Sequence, residues 1–466
     1  MPPPVASLVF TLGIVGLFYL DRDRAARTSW ALWLPIIWLA IAASRFVSEW
    51  LNAAPLDPNA ADQYMEGNPL DRAILTVLVV VGLIVLIARG RRVLQFLRTN
   101  WPILLFLLYC AVSIFWSEYP EIALKRWIKA LGDFVMVLLV LTDPDRPAAI
   151  KQFLGRVGFV LIPTSILLIK YYPEWGRSYD RWEGTQSFTG VGTDKNMLGM
   201  MCLVMGLATV WRISHFIRAG KSARKMGPIV AQVSVLAMAI WLLYKANSMT
   251  SISSFAAGSL LIVMTSIPKL ARKRALIQFT ALGMLFFSFS TLFLNLGSGL
   301  LKTVGRNPTL TGRTELWALL FHMVQNPIIG TGFGSFWLGS RLAYLWNIYW
   351  WHPNESHNGY IEIFLNLGWI GITLLGLILI AGYRNAMRLL RVDPEAGRFA
   401  LAYFVAAVMY NFTEAGFKTM NPVWIAFLLV VMVAPRTQAA NAPKAPASKT
   451  RRIPAPKQSV ASVEAV

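Results

Sequence analysis

His357 stands in Glu355-Ser356-His357-Asn358-Gly359-Tyr360, where a long polar stretch ends and an apolar run begins. A neutral imidazole at such a boundary can take a proton from a hydroxyl near pH 7, which is what a general base does. The helix formed by the apolar run would turn its positive N-terminal end toward the ring and disfavour imidazolium, with Asn354 or Ser356 expected as its cap. Taken alone, a histidine there is as readily a cap or a hydrogen-bonded filler. What singles out His357 is the segment leading into it, which carries Arg306, Arg313 and Arg341. Guanidinium groups beside a base suit an anionic, lipid-borne substrate. The other histidines have plainer settings: His215 in a basic loop, His322 on a polar helix face, His352 among aromatics.

Arg313 follows Thr311-Gly312 and opens a run with Leu316, Leu319, Leu320, Met323 and Val324 on one face and Glu315, His322 and Gln325 on the other. This pattern predicts an amphipathic helix along a membrane surface. Arg313 falls on its apolar side in the first turn, where the helix dipole is also positive, and so requires an anionic partner. A phosphate meets both demands and is the expected partner; an ion pair with a neighbouring span is the competing account. Lys125, Arg126 and Lys129 share a face with Asp133, either as substrate-binding cations or as groups snorkelling to lipid headgroups. Segment 171–195 contributes Arg177, Arg181 and Lys195 among Trp and Tyr, a mixture that suits sugars and phosphates and also arises in interfacial belts. Gly330-Thr331-Gly332-Phe333-Gly334 lacks dinucleotide-loop spacing and is expected to be a tight turn. No acidic cluster with metal spacing is evident on this side, so no metal or other cofactor is expected. Asp180, Glu183 and Glu355 are read as partners that orient arginine or histidine.

These groups must be held by membrane helices. The chain is 56% hydrophobic and 14% charged over 466 residues, which excludes an ordinary water-soluble domain. Apolar runs long enough to cross a bilayer recur throughout. Thirteen spans are expected: 5–20, 30–48, 71–88, 101–116, 122–141, 153–171, 196–212, 228–244, 252–268, 275–296, 358–382, 399–413 and 422–434. The first lacks a basic leader and a small-residue cleavage site, so it is expected to be retained. Ten spans thus occupy 1–296, a long outer loop 297–357, three more spans 358–434, and a disordered tail 435–466. Segments 21–29, 89–98, 142–151, 212–227, 269–274, 383–398 and the tail hold 28 of the 44 Lys and Arg, against nine in the intervening segments. The positive-inside rule makes the first set cytoplasmic, leaving the N-terminus periplasmic and the C-terminus cytoplasmic. The net charge of +21 is therefore topogenic and gives no reason to expect a nucleic-acid partner. Cys110 and Cys202, both within spans, offer neither a disulfide framework nor a metal site.

The ordered motifs of the outer segments resemble those of the O-antigen ligase / Wzy polymerase superfamily. They are Gly190-x-Gly192-x-x-Lys195-Asn196-x-Leu198-Gly199, the turn Ala246-Asn247-Ser248-Met249-Thr250-Ser251, Thr311-Gly312-Arg313-Thr314-Glu315-Leu316-Trp317, and His357-Asn358 with Leu365 and Gly368. Trp116-Ser117, Pro120, Ala123-Leu124 and Arg126 resemble the succinoglycan-type exopolysaccharide polymerases. The resemblance implies an all-α, GT-C-like polytopic fold in the bacterial inner membrane. It also implies metal-independent, inverting transfer of a glycan from undecaprenyl pyrophosphate to a sugar hydroxyl at the periplasmic face. Its partners would be the lipid-linked oligosaccharide, an acceptor glycan or glycolipid, membrane lipid and other polysaccharide-assembly proteins. His357, Arg313 and Arg181, the last in Arg181-x-x-Gly184, would be catalytic. Arg126, Lys129, Arg177, Lys195, Asn196, Glu355 and Asn358 would bind substrate. Ser248-Met249-Thr250 lacks the basic residue some relatives place in that turn. Polymerase is preferred to ligase on the Trp116–Arg126 stretch. A flippase for lipid-linked oligosaccharides is the alternative, although flippases concentrate polar groups at the midplane and here they gather at one face. A structural subunit of a synthesis complex, with the long loop as a docking surface, is a further possibility.

Overall fold

The computed structural model describes residues 1–53, 67–179, 185–218, 226–293 and 313–433, and the structural statements here concern those residues. Arg181, Arg306, Asp180, Glu183, Thr311, Gly312 and the tail from Pro435 lie outside them.

Inside hydrocarbon each backbone amide must be satisfied within its own segment, and the apolar runs accordingly form helices. Among the described residues the expected stretches lie largely on helices, but fewer than thirteen of those helices are long and apolar enough to cross a membrane. Starts are set by prolines that need no N–H partner and by polar caps: Asn68 before Pro69, Asp393 before Pro394, Asn421 before Pro422. By length and composition seven helices can cross a membrane, among them Pro69–Arg89, Arg146–Tyr171, Lys195–Arg218 and Gly359–Val392. An eighth is possible if Arg91–Thr99 and Trp101–Trp116, bent by 86°, form one span. Trp30–Ala42 and Pro422–Met432 are shorter. All eleven residues of Pro422–Met432 are buried, so this helix is apolar on every side because it is packed inside the bundle.

Lys195–Arg218 is the central helix, packed by Arg146–Tyr171, Met226–Ala246, Met249–Ser266 and Pro394–Tyr410. A second, smaller core lies in the outer segment, where Leu316, Trp317, Leu320, Phe336, Trp337 and Leu365 are buried together. It covers the face expected to lie along a membrane surface. The Arg313–His322 helix lays its apolar stripe on protein, because Phe336, Trp337 and the start of the Gly359 helix offer it a partner. The all-α expectation also needs one addition, an antiparallel hairpin of Arg177–Tyr179 with Gln186–Phe188.

The Gly359–Val392 helix breaks at Gly368, whose φ of 62° and ψ of −161° are not helical. The loop from Pro327 to Gly332 fills the break. Trp369 N–H donates to the Pro327 carbonyl at 2.9 Å, Ile370 N–H to that of Ile328, Thr331 N–H to that of Leu365, and Gly332 N–H to that of Asn366. A Cβ on Gly330 would sit 2.5 Å from the Leu367 amide nitrogen, so the glycine run lets one backbone lie directly on another.

Candidate active site

Four segments meet at one end of the bundle. Asn358, rather than Asn354 or Ser356, caps the helix that follows: its Oδ1 accepts from the Tyr360 and Ile361 amides at 2.9 and 3.1 Å. Its Nδ2 donates to the Phe412 carbonyl at 2.9 Å, fixing the histidine loop to the turn after Tyr410. The Gly359 amide donates to the Asn411 carbonyl at 2.9 Å, and a Cβ on Gly359 would lie 1.9 Å from Asn411 Oδ1. That same Oδ1 accepts from the Gly416 and Phe417 amides, closing the turn around Glu414. His357, one residue before the cap, takes the left-handed conformation with φ 52°, a strained choice for a non-glycine residue.

This backbone aims His357 at two carboxylates. Its Nδ1 is 3.1 Å from Glu355 Oε1 and 3.2 Å from Glu414 Oε2. Glu414, almost buried, also accepts from Asn196 Nδ2 at 3.3 Å, and its Oε1 is 3.7 Å from Arg313 Nη2. Arg313 Nη1 donates to the Thr413 carbonyl at 2.9 Å. Lys418 pairs with the other oxygen of Glu355. Behind these, Trp317 donates to the Ser356 carbonyl at 2.8 Å, while the Ser356 amide and Trp337 both donate to Glu362. Thr250 Oγ1 lies 2.7 Å from Thr413 Oγ1, and a Cβ on Gly199 would meet Ser251 Oγ at 2.7 Å. The asparagine, Ser/Thr, Gly-Arg…Trp and histidine motifs thus bear on one place.

The charge balance reverses one expectation. Burial pulls the His357 imidazole down, but its hydrogen bonds to Glu355 and Glu414, and their charges, outweigh burial and raise it to about 9. The resting ring is therefore protonated at neutral pH, not neutral. The helix dipole alone favours the neutral ring; the two carboxylates on Nδ1 reverse that preference. Burial pushes Glu355 up, yet Lys418 and the His357 hydrogen bond hold it well below the usual carboxylate range.

Among the expected site residues, His357, Arg313, Asn196, Glu355 and Asn358 come together. Lys195 is exposed at the start of its helix beside Asn196. Arg126 donates to the Gly334 carbonyl and feels the charge of Glu362, which places it behind the cluster. Lys129 lies over the Phe46 ring at 5.6 Å, and Asp133 takes Trp38 Nε1 and the Met420 amide as partners. Arg177 donates to the Ile169 carbonyl at 2.9 Å and steadies the hairpin. Arg341, 2.6 Å from Glu118, is held in an ion pair. Arg313 also faces a carboxylate, Glu414, at a loose 3.7 Å. Glu414 and Lys418 escaped the sequence reading. Their signal was a short outer segment, 413–421, carrying one acid and one base between two apolar runs. A further correction concerns metal: Glu355, His357 and Glu414 bring ligand atoms within 4.8 Å of one another, a grouping that spacing along the chain could not reveal. Lys418 and Arg313 already supply positive charge to its two carboxylates.

A multi-pass helical membrane protein with an imidazole–carboxylate–guanidinium cluster at one end of the bundle is the class that fold and site define. Residues 233–376 match the family model described as O-Antigen ligase, a range that spans the Ser/Thr, arginine and histidine motifs. The chain is 24% identical over 354 residues to "Exopolysaccharide production protein ExoQ" of Rhizobium meliloti (strain 1021), covering 74% of this chain and 78% of that protein. The chain is thus similar to the O-antigen ligase family over residues 233–376 and to an exopolysaccharide production protein over most of its length.

Proposed function

We propose that the protein transfers a glycan from undecaprenyl pyrophosphate to a sugar hydroxyl at the periplasmic face of the inner membrane, acting as an exopolysaccharide polymerase. In this reading the N-terminus is periplasmic, the C-terminus is cytoplasmic, and thirteen helical stretches build a GT-C-like bundle. The observation that carries it is His357 Nδ1 held between Glu355 and Glu414, with Arg313 on the same Glu414. Two carboxylates on Nδ1 fix the tautomer and leave Nε2 as the atom that exchanges a proton.

In the proposed step, deprotonated Nε2 takes the acceptor hydroxyl proton and the oxygen attacks the anomeric carbon. The bond from that carbon to the pyrophosphate oxygen breaks, and the electron pair leaves with undecaprenyl pyrophosphate. Attack opposite the leaving group inverts the anomeric configuration. Arg313, with Arg181 as the second proposed arginine, would neutralise the pyrophosphate, so no metal is needed. The compensation of Glu355 by Lys418 and of Glu414 by Arg313 supports the metal-independent reading. The relative's printed name, an exopolysaccharide production protein, supports a role in polysaccharide assembly, and polymerase is preferred on the Trp116–Arg126 stretch. In cells, His357→Ala should abolish polymer while protein abundance and export of the lipid-linked unit stay normal. Loss of export instead would point to a flippase.

A further inference from the structure

At the opposite end of the Gly359–Val392 helix from His357 is a cavity of about 830 Å³ that the transfer reaction does not use. It lies where the Arg91–Thr99 helix meets Trp101–Trp116 at 86°, against the last turns of Gly359–Val392 and the end of Pro422–Met432. Its polar part carries Arg146, Arg384 and Arg388, with no carboxylate among its lining residues. Arg384 and Arg388 are exposed one turn apart on one helix face. Asn385, between them, donates to the Val431 and Val433 carbonyls at 3.1 and 2.8 Å and fixes the cavity wall. Its apolar part includes Trp101, Leu377 and Ile380, each more than a third exposed on the outer surface of the bundle. Arg91–Thr99 turns off the bundle with no fully buried residue, and Phe96 and Leu97 are partly covered, as suits a helix lying in a bilayer interface.

Three cations above a lipid-facing apolar strip match a phosphate headgroup with attached acyl chains. The geometry points to a binding site for an anionic glycerophospholipid, in the leaflet opposite the histidine cluster. The chain's own segment beyond Val433 is a poor occupant, since Arg436, Lys444, Lys449, Arg451, Arg452 and Lys457 repeat the charge of the site.

The full chain, purified in neutral detergent, is titrated by native mass spectrometry with phosphatidylglycerol and separately with phosphatidylcholine. Phosphatidylglycerol should be retained under activation that strips phosphatidylcholine. The double variant Arg384→Ala/Arg388→Ala should bind it about 25-fold more weakly, at about fivefold per arginine. Arg384→Lys/Arg388→Lys should keep most of the affinity, which separates lost charge from lost fold. The pair Arg272→Ala/Lys273→Ala, exposed and outside the cavity, should bind like the unaltered chain. The inference is overturned if both lipids bind equally, if the double variant is unaffected, or if the outside pair loses as much. It is overturned as a phospholipid site if undecaprenyl phosphate displaces phosphatidylglycerol at equal or lower concentration.

Discussion

At the scale of single residues, the proton on His357 is the variable that function should follow. With a value near 9, only about one ring in a hundred is neutral at pH 7, so transfer by a histidine base should rise as pH goes from 7 toward 9. Glu414→Gln removes one of the two carboxylates that raise the ring, and the rising limb should move to lower pH in a rate–pH profile. A rate that falls through this range would instead assign the imidazolium as an acid. The same shift has a stability consequence. A value raised above the unfolded 6.5 contributes fully below pH 6.5 and is lost as pH rises through about 9. Thermal unfolding should therefore occur at lower temperature at pH 9 than at pH 6.5, and the difference should shrink in His357→Gln. The site was legible in part: His357, Arg313, Asn196, Glu355 and Asn358 stand in separate motifs that the fold brings together. Glu414 and the upward shift of the ring were not, because both depend on a turn that approaches the histidine only after folding.

At the scale of elements, the break at Gly368 positions the first turns of its helix under the site. Gly368→Ala would hold a side chain at φ 62° with its Cβ 2.3 Å from the Ile328 carbonyl oxygen. It should cost about 1–3 kcal/mol in thermal unfolding and lower transfer without touching substrate. The apolar run passes through Gly368 without interruption, so periodicity predicts one helix and cannot show the break. It becomes visible only where the Pro327–Gly332 backbone takes up the freed amides. The Arg313–His322 helix shows the converse. Its stripe was legible, but whether the stripe met lipid or protein depended on Phe336 and Trp337, which its own periodicity does not contain. Asn358→Ala should cost about 1 kcal/mol through loss of the cap, and more in activity than in stability, since the tie to Phe412 also holds His357.

At the scale of the whole molecule, hydropathy makes the helices legible because a bilayer leaves the backbone little other choice. The bundle then gathers segments near residues 196, 313, 357 and 414 at one end and arginines at the other. If Lys418 and Arg313 balance the two carboxylates, transfer should persist in excess chelator; loss of activity with restoration by added divalent ion would assign the Glu355–His357–Glu414 grouping to a metal. The most direct test of the central claim uses purified protein in defined lipid, supplied with an undecaprenyl-pyrophosphate-linked repeat unit, with release of undecaprenyl pyrophosphate and growth of polymer measured together. Both are expected from the unaltered chain, with a fall of about 10²- to 10⁴-fold in both for His357→Ala at equal amounts of folded protein. Undiminished release by His357→Ala, or an unaltered chain that moves the lipid-linked unit across the bilayer without joining sugars, would contradict it.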